Sequence, residues 1–429
     1  MADEAEWRER ARRILIQNDR GGYTVPSSGL YPFQWNWDSA VVALGWMTFD
    51  EPRAWRELER LFEGQWDNGM VPHIVFRAPA ETYFPGPAEW GVPGGNHPPT
   101  SSISQPPLVA TMVRMMSERS RDPALTDREL ARLLPKLIAW HQWWFRDRDP
   151  EKTGLAMTVH PWESGQDNSP AWDAPLAAVL PATRAYARRD TGFVDAARRP
   201  RPQDYDRYVS LMDFLRQAEF NPERIYTDCP YRVVDFGLNA ILLRATEDLA
   251  ELCRRHGESA AAAELSAASD LSRRALSGLW SESLGAYVSR DTRTGRPLEA
   301  RTHSTFLAWY GRLVDSPEIN RRLLGNLQDW MGRSAYGLAS THPGAPEFEP
   351  QRYWRGPVWP HLNWLIALGL AEVGFLDAAG ELRRSTRSLI ANAGFREYFN
   401  PMTGDGYGGS DFSWTAAVTL LWCVEEQAP

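Results

Sequence analysis

The sequence predicts an all-helical protein: a bundle, a solenoid or an α/α toroid. Three observations point there. Apolar residues recur at spacings of three and four in segment after segment, strand-like alternation is short and rare, and the helical segments follow one another through the whole chain.

The elements can be taken in order. The N-terminal stretch MADEAEWRERARRIL reads as a charged helix, with neither an apolar core nor a cleavage signal for export. Leu133, Leu134, Leu137, Ile138, His141 and Trp144 share one helix face. Val234, Leu238, Ile241, Leu242, Ala245, Leu249 and Leu252 share another. Val358, Leu362, Leu365 and Ile366 form a third, and Trp414, Ala417, Val418, Leu421 and Trp422 a fourth. The best strand candidate is MVPHIVF at 70–76. No repeat of fixed period is visible, which disfavours an ordinary solenoid. A chain of 429 residues is long for one core, and two domains would be the ordinary expectation. No linker rich in Pro, Gly or Ser divides it, and a toroid is the main way to stay single at this length. The chain therefore reads as one domain over 1–429, with 77–99 and 190–208 as loop or lid excursions.

Composition narrows the function classes. Lys and Arg number 47 and Asp and Glu 55, a formal charge of −8 with both signs interspersed. That argues against nucleic-acid partners and against a membrane surface. No run of about 18 apolar residues occurs, so no membrane span is expected. Cys229, Cys253 and Cys423 are odd in number and lack a CxxC pair, as expected of reduced thiols in a cytoplasm. No metal or other cofactor is expected, because no His/Asp cluster stands at ligand spacing. The unusual feature is aromatic content, with 20 Trp, 14 Tyr and 16 Phe. Indole rings suit sugar C–H faces as well as cores.

The segments between helices carry these aromatics beside carboxylates and glycines, the composition of sites held on a scaffold. In HPWESGQDNSPAWD (160–173), Glu163, Asp167 and Asp173 lie among tryptophans and prolines. Glycosidic cleavage needs one carboxyl kept protonated, and aromatic walls raise a carboxyl pKa by desolvating its anion. Capping of the turn before Ser169 and Pro170 is the plainer role for Asp167. In EYFNPMTGDGYGG (397–409), Glu397 follows a helix and opens a Gly-rich loop, where a carboxylate can hold a water; a surface glutamate is the alternative. RYWRGPVWPH (352–361) packs aromatics and Arg355 onto a helix start, as a sugar platform or as core with a buried arginine pair. In the segment 31–38, Asp38 either binds sugar hydroxyls or caps the following helix.

Together WESGQDNSPAWD, EYFNPMTGDGYGG…FSWTAA, RYWRGPVWPHLNW and LYPFQWNWDSA resemble glycoside hydrolase family 63 across nearly the whole chain. The related α,α-trehalases and processing glucosidases share this arrangement. The resemblance implies an (α/α)6 barrel, a six-hairpin toroid, and inversion at an α-linkage. It implies Asp167 as general acid and Glu397 as general base. In length and motifs the chain is similar to the bacterial glucosylglycerate and mannosylglycerate hydrolases of that family. The sugar-side positions implied are Tyr31, Trp35, Trp37, Asp38, Tyr353 and Trp354. Tyr83 and Gln105 are implied on the glycerate side, and Arg201 or Arg207 as partner of its carboxylate, since a guanidinium fork suits that group. Trp162, Gly165, Tyr208 and Trp359 complete the candidate set.

The expected substrate is therefore a small α-glycoside, glucosylglycerate or mannosylglycerate, with a small α-oligosaccharide next; a homo-oligomer is left open. The two carboxyls are expected about 6.5–9.5 Å apart, with room for water. Two rivals stand beside this reading. A lyase or epimerase on the same toroid would draw its base from His73, His97, His160, His303, His342 or His361. A non-catalytic sugar-binding protein would need the aromatics but not the acid pair.

Overall fold

Six helices among the described residues bury most of their surface and form a closed inner ring: Asn36–Met47, Val109–Arg119, Phe236–Arg255, Leu307–Tyr310, Pro360–Glu372 and Ser413–Val418. Each packs against the next in that order, and the last packs back on the first. Their sequences explain the placement. NWDSAVVALGWM is buried at every position, and PHLNWLIALGLAE at nearly every one. Burying a leucine such as Leu362 or Leu365 stabilises the fold by roughly 1.5–3 kcal/mol. The ring closes where Gly45 meets Ala417, a contact that leaves no space for a Cβ at Gly45.

An outer ring covers the inner one. Glu51–Phe62, Pro123–Asp147, Ser259–Ser277, Pro317–Gly332 and Leu376–Ala393 each follow an inner helix after a short turn. The outer helices are amphipathic: Glu51–Phe62 buries Ala54, Trp55, Leu58, Leu61 and Phe62 and turns Arg56 and Arg60 toward solvent. The sixth hairpin joins the two chain ends, because the outer helix Glu4–Asn18 packs on Ser413–Val418. The result is the (α/α)6 barrel. The computed structural model describes residues 4–79 and 81–425; the first three positions of the expected N-terminal helix and position 80 of the expected 77–99 excursion lie outside them.

The two ends of the barrel differ. At one end, inner helices pass to outer helices through the turns 48–50, 120–122, 256–258, 311–316 and 373–375. At the other, outer helices return to inner ones through long segments: 19–35, 63–108, 148–235, 278–306, 333–359 and 394–412.

Three sequence expectations need correction. The strand at 70–76 shrinks to Ile74–Val75, because its partner Gln34–Trp35 is only two residues long. The excursion 190–208 is irregular only at its start, since Pro202–Gln217 is helical, with Tyr205, Tyr208, Val209, Leu211, Met212 and Leu215 buried. The fourth helical stripe ends in a π-turn at Thr419–Cys423. No described helix is long and apolar enough to cross a membrane.

Candidate active site

Five of the six long segments converge on one cavity. Asp167 and Glu397 both line it, although 230 positions separate them in sequence.

Glu397 sits on the strand Arg396–Phe399, which pairs antiparallel with Gly406–Ser410. The register shifts at Glu397, between Arg396 and Tyr398. Gly408 makes that irregularity: its φ is +70, and a Cβ there would strike the Glu397 carboxylate. The Gly409 N–H is thereby brought to Oε2 at 3.0 Å. The Tyr31 and Tyr353 hydroxyls donate to Oε1 at 2.9 and 3.3 Å. The Trp414 indole holds the backbone carbonyl at 3.1 Å. Glu397 is 1% exposed. Burial raises its pKa, and Arg199, the Gly409 amide and the two hydroxyls pull against that rise.

Asp167 lies in a turn whose other members bond into the core. Gly165 turns the chain at φ +71, and a Cβ there would run into the Trp37 ring. Gln166 accepts from Ser304 at 3.0 Å through its side chain and from Trp172 at 2.8 Å through its carbonyl. Asn168 accepts the Trp354 N–H at 2.9 Å, and the Tyr208 hydroxyl donates to the Asp167 carbonyl at 2.9 Å. These bonds fix the backbone while the Asp167 side chain lines the cavity. Ser169 stands at the N-cap position of Pro170–Trp172, which Asp167 therefore does not cap. Burial pushes the Asp167 carboxyl up to about 7, against the pull of Arg199. Such a carboxyl holds its proton near neutrality, as a general acid must.

The third carboxyl, Asp38, lies in the first turn of an inner helix whose N-cap residue is Trp35. It is buried, and its Oδ1 has no hydrogen-bond partner in the protein. Burial and then the Glu397 charge raise its pKa well above the usual range.

Most of the remaining candidates meet at this cavity. Tyr31, Trp35, Trp37, Tyr83, Gln105, Trp162, Gly165, Tyr353 and Trp354 all line it. Gln105 accepts the Trp37 N–H at 3.3 Å, and Trp35 packs edge-on to Tyr31 and Tyr83. Four candidates do not line it. Trp359 lies behind Trp354, stacked at 3.6 Å. Tyr208 acts from behind Asp167. Arg201 pairs with Glu349 at 2.6 Å, and Arg207 donates to the Gln203 carbonyl one helical turn back. Both arginines belong to the start of the helix Pro202–Gln217, which aims them away from the cavity.

The arginine that reaches the cavity is Arg199, and it is the only Arg or Lys among the lining residues. It donates to the Tyr31 hydroxyl at 2.9 Å and pairs with Asp190 at 2.9 Å. Its guanidinium lies 4.2 Å over the Tyr353 ring. Burial works against ionisation of Asp190, but Arg199 and Arg188 bring its pKa down to about 2. Sequence reasoning missed Arg199 by two positions within ARRPRPQDYD, it also missed Asp190, Tyr205 and Trp414, and it named His73 only as a base for the rival lyase.

Several motif residues prove structural. Glu163 pairs with Arg148 at 2.8 Å in the core, and Arg355 pairs with Asp173 at 2.8 Å. The histidines offer little to a lyase. Only His73 lines the cavity, and burial holds it, like His160, His303 and His361, well on the neutral side. His342 pairs with Asp329, and His97 stacks on Trp66. No group of three or more His, Cys, Asp or Glu side chains among the described residues is placed to hold a metal ion.

Comparison with known proteins places this arrangement. The model of the mannosylglycerate hydrolase MGH1-like glycoside hydrolase domain matches residues 31–415. A mannosylglycerate hydrolase of Selaginella moellendorffii is 45% identical over 98% of this chain and 86% of its own length. A glucosylglycerate hydrolase of Mycolicibacterium hassiacum is 35% identical over 96% of each chain. The crystal structure of the family 63 mannosylglycerate hydrolase from Thermus thermophilus, in complex with Tris and D-glycerate, superposes with a TM-score of 0.94. It is 44% identical and covers 97% of this chain and 99% of its own.

Proposed function

The chain belongs to the mannosylglycerate hydrolase MGH1-like glycoside hydrolases, and from that premise we propose that it cleaves an α-glycoside of glycerate with inversion, mannosylglycerate before glucosylglycerate. One observation carries the reading: Asp167 and Glu397 line one cavity from separate long segments, Asp167 with its carboxyl pushed up to about 7 and Glu397 accepting from the Gly409 amide and the Tyr31 and Tyr353 hydroxyls, donors that suit a carboxylate. Protonated Asp167 gives its proton to the glycosidic oxygen as the bond to the anomeric carbon breaks. The electron pair of that bond stays on the glycerate oxygen. A water attacks the opposite face of the same carbon and passes its proton to ionised Glu397. Trp37 and Trp354 supply walls for the sugar, and Asp38 supplies a polar group at its edge.

Arg199 is assigned to the glycerate carboxylate. Its five N–H donors exceed what Tyr31, Asp190 and Tyr398 take from it. The Thermus thermophilus relative was crystallised in complex with D-glycerate, which supports a glycerate aglycone. The order of the two sugars follows the identities, 45% to a mannosylglycerate hydrolase against 35% to a glucosylglycerate hydrolase. Incubation with both glycerate glycosides and an α-glucobiose, with mannose, glucose and glycerate quantified, tests the proposal. Mannosylglycerate should turn over fastest; faster turnover of the glucobiose would overturn the reading.

A further inference from the structure

Arg199 is one hydroxyl away from the general base. Its Nη1 donates to the Tyr31 oxygen at 2.9 Å, and that oxygen donates to Glu397 Oε1 at 2.9 Å. A phenol has one proton to give and lone pairs to accept with, so Tyr31 serves both partners at once. Tyr353 runs beside it: its ring lies 4.2 Å under the Arg199 guanidinium, and its hydroxyl reaches the same Glu397 oxygen at 3.3 Å.

Resting on the assignment of Arg199 to the aglycone carboxylate, we propose that this carboxylate is a working part of the catalytic apparatus. By docking on Arg199 it resets, through Tyr31 and across the cavity, the charge balance at Glu397 and Asp167. The charge of the aglycone then governs turnover as well as binding, and Tyr31 is the positioning residue that transmits it.

The charges around Arg199 make it the natural switch. Asp190 faces its Nε, with Arg188 bound bidentately to the same carboxylate. Tyr31, Tyr353 and Tyr398 surround the guanidinium, and Tyr83 and Tyr205 feel its charge. Neighbouring Arg198 turns away to lie over the Tyr407 ring. Glu397 faces Arg199, Asp38, Tyr31, Tyr353 and Tyr398. Asp167 faces Arg199, Glu397 and Asp190, with Tyr83, Tyr208 and Tyr353 beside it. Within both sets Arg199 is the largest influence opposing the effect of burial. An anion on Arg199 offsets that influence, so both carboxyls rise. The acid then keeps its proton to higher pH, and the base becomes stronger.

The experiment compares pH profiles of kcat and kcat/KM for α-mannosylglycerate and for α-mannosylglycerol, whose aglycone has CH2OH in place of the carboxylate. Desolvation by the substrate is common to both and cancels in the comparison. The proposal expects the basic limb of kcat to lie about one pH unit or more higher with the glycerate. It expects kcat, and not only KM, to worsen by about tenfold with the glycerol. In Tyr31→Phe the gap in kcat between the substrates should narrow several-fold while the gap in KM persists. Equal kcat and coincident limbs, with a lower KM for the glycerate, would overturn the coupling and leave Arg199 as a simple carboxylate site. Substrates alike in both KM and kcat would remove that site, and the coupling with it. The wild-type comparison decides these outcomes even where the variant fails to fold.

Discussion

The two ends of the barrel use the same residue types for opposite purposes. At the short-turn end, carboxylates cap and pair. Asp50 accepts the Arg53 N–H at 3.0 Å, Asp122 accepts that of Leu125 at 3.0 Å, and Glu51 accepts from Ser120 and from the Arg121 N–H. These acids stay wet and satisfy backbone donors that helix starts leave open. At the long-segment end, Asp38, Asp167 and Glu397 are enclosed among aromatic rings, and burial pushes all three up. One end spends its acids on holding helices; the other holds acids in a state that favours proton transfer. The difference teaches that chemistry here depends on chain length between helices. A three-residue turn can cap a helix, but only a long segment can carry a carboxyl over the rim and wall it in.

Substitutions should separate the two ends. The largest effect belongs to Asp167→Asn and Glu397→Gln, which should each lower kcat by about 10² to 10⁴ while far-ultraviolet circular dichroism stays that of the parent. Asp167→Asn should also gain relative stability with pH. The Asp167 pKa is raised in the folded state, so its ionisation opposes folding as pH climbs from the unfolded value through about 7. The melting temperature of the variant should therefore overtake the parent's between acid and neutral pH; parallel melting curves across that range would count against a buried, raised Asp167.

A smaller effect is expected at Gly408. An alanine there would carry a Cβ into the Glu397 carboxylate at a φ of +70. Gly408→Ala should lower kcat about tenfold or more, at a backbone cost of about 1–2 kcal/mol, and should change KM far less. Equal losses in stability and none in kcat would place Gly408 with the scaffold. The smallest effect is expected at the other end, where Asp50→Ala removes a cap worth about 1 kcal/mol. Its kcat should equal the parent's, and a loss there would show that the short-turn end is coupled to the site.

The same contrast explains what the sequence made legible. Inner helices such as 236–255 and 360–372 announce themselves through apolar spacing, because burial imposes it on consecutive turns. The motifs around Asp167 and Glu397 are legible because acid, glycine and aromatic stand within a few residues. The sixth hairpin was not legible, since Glu4–Asn18 and Ser413–Val418 pair only once the ring closes. Nor was the pairing of Gln34–Trp35 with Ile74–Val75, each too short to show alternation. Arg199 escaped for a related reason. In a stretch holding Arg198, Arg199 and Arg201, composition names the residue type, and only the cap at Arg201 and the turn at Ala196–Arg198 decide which side chain faces inward.

The central claim is that Asp167 and Glu397 act from opposite faces of one anomeric carbon, with a water on the side of Glu397. Proton NMR of the sugar released in the first minutes of hydrolysis of an α-glycoside, before mutarotation, tests it most directly. The β-anomer should appear first; initial release of the α-anomer would mean retention and would contradict the assignment of the pair.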